Sequence, residues 1–445
     1  MKAKRKVINL FAMLLILFGF FQLAHTSRED TLSLVLWSGF LFGALWFWIR
    51  NYNQLGLLFL LSILCRLFFF SELPLLSQDF YRFLWDGALQ GMGINPYLYT
   101  PFEIKDLVVF PELETLYKGM GTLSNGNYSN YPPLSQYLYQ GAAYLLTETL
   151  LPPVTFLRTL FLIADVLFFF VGVHLLKKLT LEPHYIAWYF LNPLVVVEGI
   201  GNLHAESFML CFAGIGWLLI LNRKTVLSGF FTAIAIGIKL LPLLFIPLFF
   251  DYLGLRKFLV FCISCFLFSV LFWFPFWDES MATNYLNTLS LWFTTFEFNG
   301  SVYNLIRAIG YEIKGYNIIR SVGQVTPFIV LFMVLGLSFL RSNRSPNELF
   351  KGLLFLLSGY FFIATTVHPW YLLFLVFLGV VTQYVYPLVW SAVVFWSYLY
   401  YNASFESFTL FWHWGAYLLV YGCFIWEISK GPLGEHIQKP HFLRS

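Results

Sequence analysis

The chain has 445 residues, of which 59% are hydrophobic, 21% aromatic and only 11% charged. A soluble domain carries about 25% charged residues, so the composition excludes an ordinary soluble enzyme and predicts a polytopic membrane protein. Lys and Arg exceed Asp and Glu by four, too few for a nucleic-acid surface.

The first stretch, "MKAKRKVINLFAMLLILFGFFQLAH", has a basic flank followed by an apolar run. That run is too long for a signal peptide and no small-x-small cleavage site follows it, so it reads as a retained first span with its basic end in the cytoplasm. Further apolar segments lie near 31–49, 55–71, 154–176, 185–200, 205–221, 226–250, 258–276, 318–340, 352–367, 370–384, 386–402 and 408–428. Backbone amides have no water partner in lipid, so these segments are expected as helices. The expected fold class is therefore all-α, with about 12–14 transmembrane helices. All five cysteines (Cys65, Cys211, Cys262, Cys265 and Cys423) sit in apolar runs, which predicts neither a disulfide framework nor a thiolate metal site. Cys262 and Cys265 share a helical face and read as packing residues.

Two segments are ambiguous. Residues 131–151 read either as a span or as an interfacial helix, and 227–250 either as one span or as a hairpin broken at Lys239 and Pro242. Cationic clusters at Lys2–Lys6, Arg50, Lys177/Lys178, Arg223/Lys224, Arg256/Lys257, Arg341/Arg344/Lys351 and Lys430 decide between them. All reach the cytoplasm if 131–151 stays on the outer surface and 227–250 folds back, as the positive-inside rule prefers. The 72–131 loop, "GNLHAESF" (201–208), Lys239, the 277–317 loop and "TVHPWY" (366–371) then share the outer side, the pattern of an assembled site.

Within the first of these, Asp79 and Asp86 are seven apart, two turns along a short helix predicted over 79–91, with Arg82 between them. Gly93, Asn95 and Pro96 stop that helix and shape a turn. Tyr81, Phe83 and Trp85 would equally suit a membrane-interface belt. Asp165, inside "LRTLFLIADVLFFF", is an intramembrane acid expected to bond to a neighbouring helix rather than to join the outer motifs.

"SQDFYRFLWDGALQGMGINPYLYTP" (77–101) resembles the Ser-Asp-Asp-x-Tyr-Arg-Tyr-x-Trp-Asp-Gly…Gly-x-Asn-Pro-Tyr signature of bacterial GT-C glycosyltransferases. These are akin to the polyprenyl-phosphate-mannose-dependent mannosyltransferases and, more distantly, to the first GPI mannosyltransferase. "NYPPLSQYLY", "FLNPLVVVEGIGNLHAES", "KLLPLLFIP" and "HPWYLLF" resemble further elements of that family, in its order, over roughly residues 55 to 375. The resemblance implies a GT-C fold with a large first outer loop carrying short interfacial helices. Two N-terminal transmembrane helices (1–53) would precede a catalytic core (54–378, including loop 72–131), and C-terminal helices and a cytoplasmic tail (379–445) would follow.

The activity implied is that of an inverting hexosyltransferase moving mannose from a polyprenyl phosphate sugar to a glycan or lipid acceptor at the outer face of a bacterial cytoplasmic membrane. Asp79 is expected as the base, with Asp86 second or orienting Arg82. Arg82, Arg66, His204, Glu206, Lys239 and His368 are expected around the donor phosphate, and Asn95, Tyr97, Tyr131 and Trp370 around sugar or acceptor. His204 with Glu206, after Asn202, reads equally as a hydrogen-bonded cap between short helices. The family's first acid is replaced by Gln78, so no metal or other cofactor is expected, although a divalent ion stays open. A glycan ligase or polymerase, and a lipid-linked sugar flippase or transporter, are the rival readings. Asn127, Asn299 and Asn402 begin Asn-x-Ser triplets, and "FNGSVYN" (298–304) reads as a loop closing the site.

Overall fold

The computed structural model of the protein describes residues 2–52, 54–402 and 409–434. The last part of the expected tail, 435–445, lies outside them. The described residues are helical without a strand; isolated bridges join Phe298 and Asn299 to Thr366. The main helices in chain order are α1 (Lys2–Ala24), α2 (Thr31–Asn51), α3 (Leu55–Leu67), α4 (Asp79–Gly91), α5 (Pro133–Ala143), α6 (Leu151–Lys178), α7 (Glu206–Leu221) and α8 (Thr225–Ile238). They continue with α9 (Leu255–Trp273), α10 (Met281–Thr294), α11 (Val302–Lys314), α12 (Ile319–Leu335), α13 (Pro346–Ile363), α14 (Leu372–Thr382), α15 (Tyr386–Val393) and α16 (Thr409–Lys430).

This is an all-α, multi-pass membrane protein. Among the described residues five helices are long and apolar enough to cross a bilayer, or six if Val195–Gly201 and Glu206–Leu221 form one bent crossing. The remaining apolar stretches fold as shorter or interrupted helices, Leu55–Ser71, Thr225–Ile238, Leu241–Leu253 and Pro369–Thr382 among them. On α9 and α12 much of the Leu, Ile, Val and Phe surface is outward-facing, including Ile263, Phe266, Leu267, Phe328 and Phe332. On helices of this length such surface suits lipid.

The chain divides into two compact units, each discontinuous in sequence: residues 1–76, 165–207 and 369–445, and residues 77–164 and 208–368. In the first, α14 is buried along its entire length, and Phe377 on it meets Phe168 at 4.7 Å. The buried carboxylate of Glu427 on α16 accepts from the amides of Val385, Tyr386 and Leu433 at 2.8–3.0 Å. It thereby caps the exposed donors at the start of α15.

In the second unit α4 and α5 cross at Gly87, where a Cβ would lie 2.1 Å from the carbonyl oxygen of Tyr139. Helix α5 ends at Ala143, and 11 residues rise only about 16 Å. The 131–151 segment is therefore not a single crossing helix.

Residues 227–250 fold back. Helix α8 stops at Ile238, Lys239 is extended, and a 3₁₀ segment, Leu241–Leu248, follows with Pro242 and Pro247. Contacts between α8 and α9 advance together: Ser264 Oγ donates to Val226 O at 2.7 Å and Phe230 meets Phe268 at 4.7 Å. The two helices are thus parallel, so the chain between them must return. It does, since Tyr252 reaches the carbonyl of Leu221 (3.3 Å) and lies under the Arg223 guanidinium (5.4 Å). Lys239 is the apex of this hairpin.

Candidate functional site

In the second unit, Asp79 opens α4, where the helix N-terminus favours a negative charge; its amide donates to Ser77 Oγ at 3.2 Å. The carboxylate is half-buried. Asp86, two turns on, is fully buried and filled: it accepts from Arg82 Nε (2.6 Å), Ser129 Oγ (2.6 Å) and Gln136 Nε2 (3.2 Å). Three donors thus fill this carboxylate, and one of them is the Arg82 guanidinium. Arg82 Nη1 donates to the carbonyls of Ser124 (2.5 Å) and Asn127 (2.9 Å). The guanidinium is thereby tied to the loop as well as to the helix.

Gln78 donates to Met120 O at 3.2 Å. An aspartate here would point a carboxylate at a carbonyl, so the departure from the family's acidic pair suits the local structure.

Two residues expected around sugar or acceptor make contacts that hold the loop. Tyr97 is fully buried against Trp273, Phe276 and Tyr285, and its hydroxyl donates to Tyr131 O at 2.6 Å. Burial pushes this phenol well above its usual range. Asn95 Nδ2 donates to Phe276 O (2.8 Å) and its Oδ1 accepts from the Tyr97 amide (3.1 Å), pinning the Gly93–Tyr97 turn.

Tyr131 stands at the meeting point of the charges. Its ring makes edge contacts with Phe83 (5.0 Å) and Tyr139 (5.5 Å), and the Lys239 ammonium lies 5.8 Å from its centroid. Its phenol is held well above the normal range by burial first and then by the negative charge of Asp79, while Arg82 opposes the rise. The ring thus packs between Phe83 and Tyr139 with the Lys239 ammonium beside it.

His368 sits between Phe298 (4.9 Å) and Phe296 (5.7 Å). Burial and then the positive charge of Lys239 lower its pKa to about 3. Burial and Lys239 thus both favour the uncharged imidazole at this position. The "FNGSVYN" loop holds this segment: Phe298 N donates to Thr365 O (3.1 Å), Val367 N to Phe298 O (2.8 Å) and Ser301 Oγ to Phe362 O (2.9 Å). Asn299 donates weakly to Val367 O (3.4 Å), and Asn127 bonds Leu123 O (2.8 Å).

In the first unit, Arg66 is fully buried, with Nε on Asp165 Oδ2 at 2.7 Å and Nη1 on the carbonyls of Phe190 (2.8 Å) and Ser62 (2.9 Å). Arg66, expected near the donor phosphate, is held by an intramembrane acid, and Asp165 makes the buried helix-to-helix bond expected of it. His204 is buried too, stacked on Trp370 at 3.6 Å, with Nε2 3.6 Å from Glu198 Oε2. Asn202 donates to that oxygen (3.2 Å) and accepts from Leu76 N (3.1 Å), and Tyr398 donates to the other oxygen of Glu198. The carboxylate beside His204 is thus that of Glu198, while Glu206 is buried at the start of α7 and one face of Trp370 is occupied by the imidazole. Asn402, also in this unit, bonds Thr31 Oγ1 (3.1 Å).

A family profile described as alpha-(1->6)-mannopyranosyltransferase, N-terminal domain, matches residues 7–253, more than half of the chain. The chain belongs to the alpha-(1->6)-mannopyranosyltransferase family. A comparison with curated proteins finds no match. This mannopyranosyltransferase-family protein is a multi-pass membrane glycosyltransferase that uses a sugar donor and an acceptor. The matched stretch carries Asp79, Arg82, Asp86, Tyr131 and Lys239, whereas His368 and Trp370 lie beyond it.

Sequence reasoning passed over three polar residues of this mannopyranosyltransferase-family chain. Glu198 could have been found as an acid within the apolar run 194–201, which forms a π-helix, a geometry frequent at functional sites. Ser129 and Gln136 gave no local signal, since both gain their meaning only from Asp86, 43 and 50 residues away.

Proposed function

We propose that the protein transfers mannose from a polyprenyl phosphate mannose to a hydroxyl of a glycan or lipid acceptor, with inversion, at the non-cytoplasmic face of the membrane. The acceptor oxygen attacks the anomeric carbon as the bond from that carbon to the phosphate oxygen breaks. Its proton passes to the Asp79 carboxylate, and the bonding electrons leave with the polyprenyl phosphate. Arg82 and Lys239 face the charge that grows on the phosphate, where fixed cations lower the barrier most. Neutral His368 donates a hydrogen bond without competing for the proton. Asp86 keeps Arg82 in place, and no resident metal is assigned to the step. A single displacement inverts the anomeric centre.

The observation that carries this reading is the Tyr131 ring, on which the Asp79 charge and the Lys239 ammonium both act. The outer-face assignment rests on the folded-back 239–253 segment, which allows Arg223/Lys224 and Arg256/Lys257 to share the cytoplasmic side. The test is Asp79→Asn assayed with polyprenyl phosphate mannose in proteoliposomes. Loss of a positioned base lowers kcat by about 10²- to 10⁴-fold, with donor KM little changed. Near-normal kcat would remove Asp79 as the base. A product that retains the donor's anomeric configuration would remove the single displacement.

A further inference from the structure

Helix α5 touches both cation-bearing segments of the second unit through two consecutive residues. Gln136, fully buried, donates from Nε2 to Asp86 Oδ2 (3.2 Å) and Ser129 Oγ (2.7 Å), and its Oε1 accepts from Gln90 (2.9 Å). Ser129 donates to the same Asp86 oxygen at 2.6 Å, and the other oxygen holds Arg82. Ser135, equally buried, donates to the carbonyl of Ile238 at 2.8 Å. Ile238 ends α8 and directly precedes Lys239. Neighbouring positions on a helix point about 100° apart, so one short helix grips α4 with one residue and the hairpin apex with the next. Its seat is fixed on both sides: a Cβ on Gly87 would meet the Tyr139 carbonyl, and one on Gly237 would lie 2.8 Å from Leu134 Cγ.

We propose that Ser135 and Gln136 are positioning residues that together set the separation of Arg82 and Lys239, so that both cations meet one donor phosphate. The inference rests on the phosphate role given above to those two cations. Neither Ser135 nor Gln136 touches the reacting atoms; Gln136 acts through Asp86 and Arg82, and Ser135 through the Ile238 peptide and Lys239. The hydroxyl of Ser135 holds the helix end at the point where α8 has run out of its own hydrogen bonds. Without it, the apex is free to shift relative to α5.

The experiment is a pair of double-mutant cycles on full-length protein, read as kcat/KM for polyprenyl phosphate mannose. Gln136→Leu and Ser135→Ala each lower it about tenfold, and Ser135→Thr, which keeps the hydroxyl, restores it to within about twofold of the parent. The discriminating result is the coupling. Gln136→Leu has no further effect once Arg82→Ala is present but keeps its full effect beside Lys239→Ala, and Ser135→Ala shows the reverse pattern. Equal effects in both backgrounds would reduce the two residues to generic packing and overturn the proposal. Near-parent activity for Gln136→Leu and Ser135→Ala beside damaged Arg82→Ala and Lys239→Ala would overturn positioning alone. Undamaged Arg82→Ala and Lys239→Ala would instead overturn the phosphate reading beneath it. If Gln136→Leu does not fold, Ser129→Ala removes a donor from the same carboxylate oxygen and tests the same limb.

Discussion

Arg82 and Asp86 lie one helical turn apart and share a 2.6 Å ion pair whose side chains are 4% and 1% exposed. Removing one partner of so buried a pair costs about 3–5 kcal/mol, because the remaining charge keeps its desolvation without its counter-ion. Asp86→Ala is therefore expected to lower the melting temperature in detergent and to raise donor KM. Asp79→Asn, at the half-buried end of the same helix, is expected to lower kcat with the melting temperature unchanged. Thermal unfolding and initial-rate kinetics on both variants check the division of labour. Equal loss of stability in the two would contradict it.

The Arg66–Asp165 pair allows a cleaner separation of structure from chemistry. Arg66→Met or Asp165→Leu alone is expected to destabilise by about 3–5 kcal/mol, whereas the double replacement should recover most of the loss, since apolar side chains suit that site. Donor KM of the double variant should match the parent. A donor KM raised tenfold in a well-folded double variant would restore Arg66 to the phosphate-binding group.

His368 predicts a particular acid limb. Its folded pKa of about 3 lies far below the unfolded value near 6.5, so the unfolded chain binds the proton more readily. Its contribution to stability is fully present above the unfolded value and is lost as pH falls toward the folded one. His368→Gln, which keeps an amide donor but cannot titrate, should flatten this limb in unfolding measurements at pH 4 to 7. It should also retain much of the transfer activity. An unchanged acid limb would show that the imidazole is not the group responsible.

Gly87→Ala is a minimal probe of the α4–α5 crossing. The added methyl would have to displace the Tyr139 backbone, which costs on the order of 1–3 kcal/mol of overpacking. The expected outcome is a lower melting temperature with a larger fall in activity than in stability, because the α4–α5 register carries the Arg82 clamp. Parent-like activity would mean the crossing tolerates a shift that the geometry does not.

Much of this arrangement was legible in the chain itself. Hydrophobic runs gave the helices, "NPY" after glycine gave the turn beyond α4, and Lys239 followed by Pro242 marked the apex of the hairpin. Asp165 announced a buried partner by its surroundings. What could not be read was which partner, because Arg66 lies 99 residues away and a snorkelling arginine looks the same in sequence as a paired one. Tyr97 and Tyr131 are both tyrosines beside prolines, yet one is sealed in the core and the other lies against Lys239. His368 gave no sign in the chain of the two phenylalanines and the lysine that surround it. Such differences arise from desolvation, which is a property of the neighbours and not of the residue.

The apex at Lys239 also bears on how the protein is made. Helix α8 has 14 residues, and a crossing needs about 20, so neither limb of the 225–253 hairpin can be threaded through a bilayer by itself. Their apolar surface is covered only when α9, which packs along α8, is in place as well. The position of the ammonium is consequently settled by three segments together, and a chain cut before residue 255 would carry Lys239 without the helix that steadies α8.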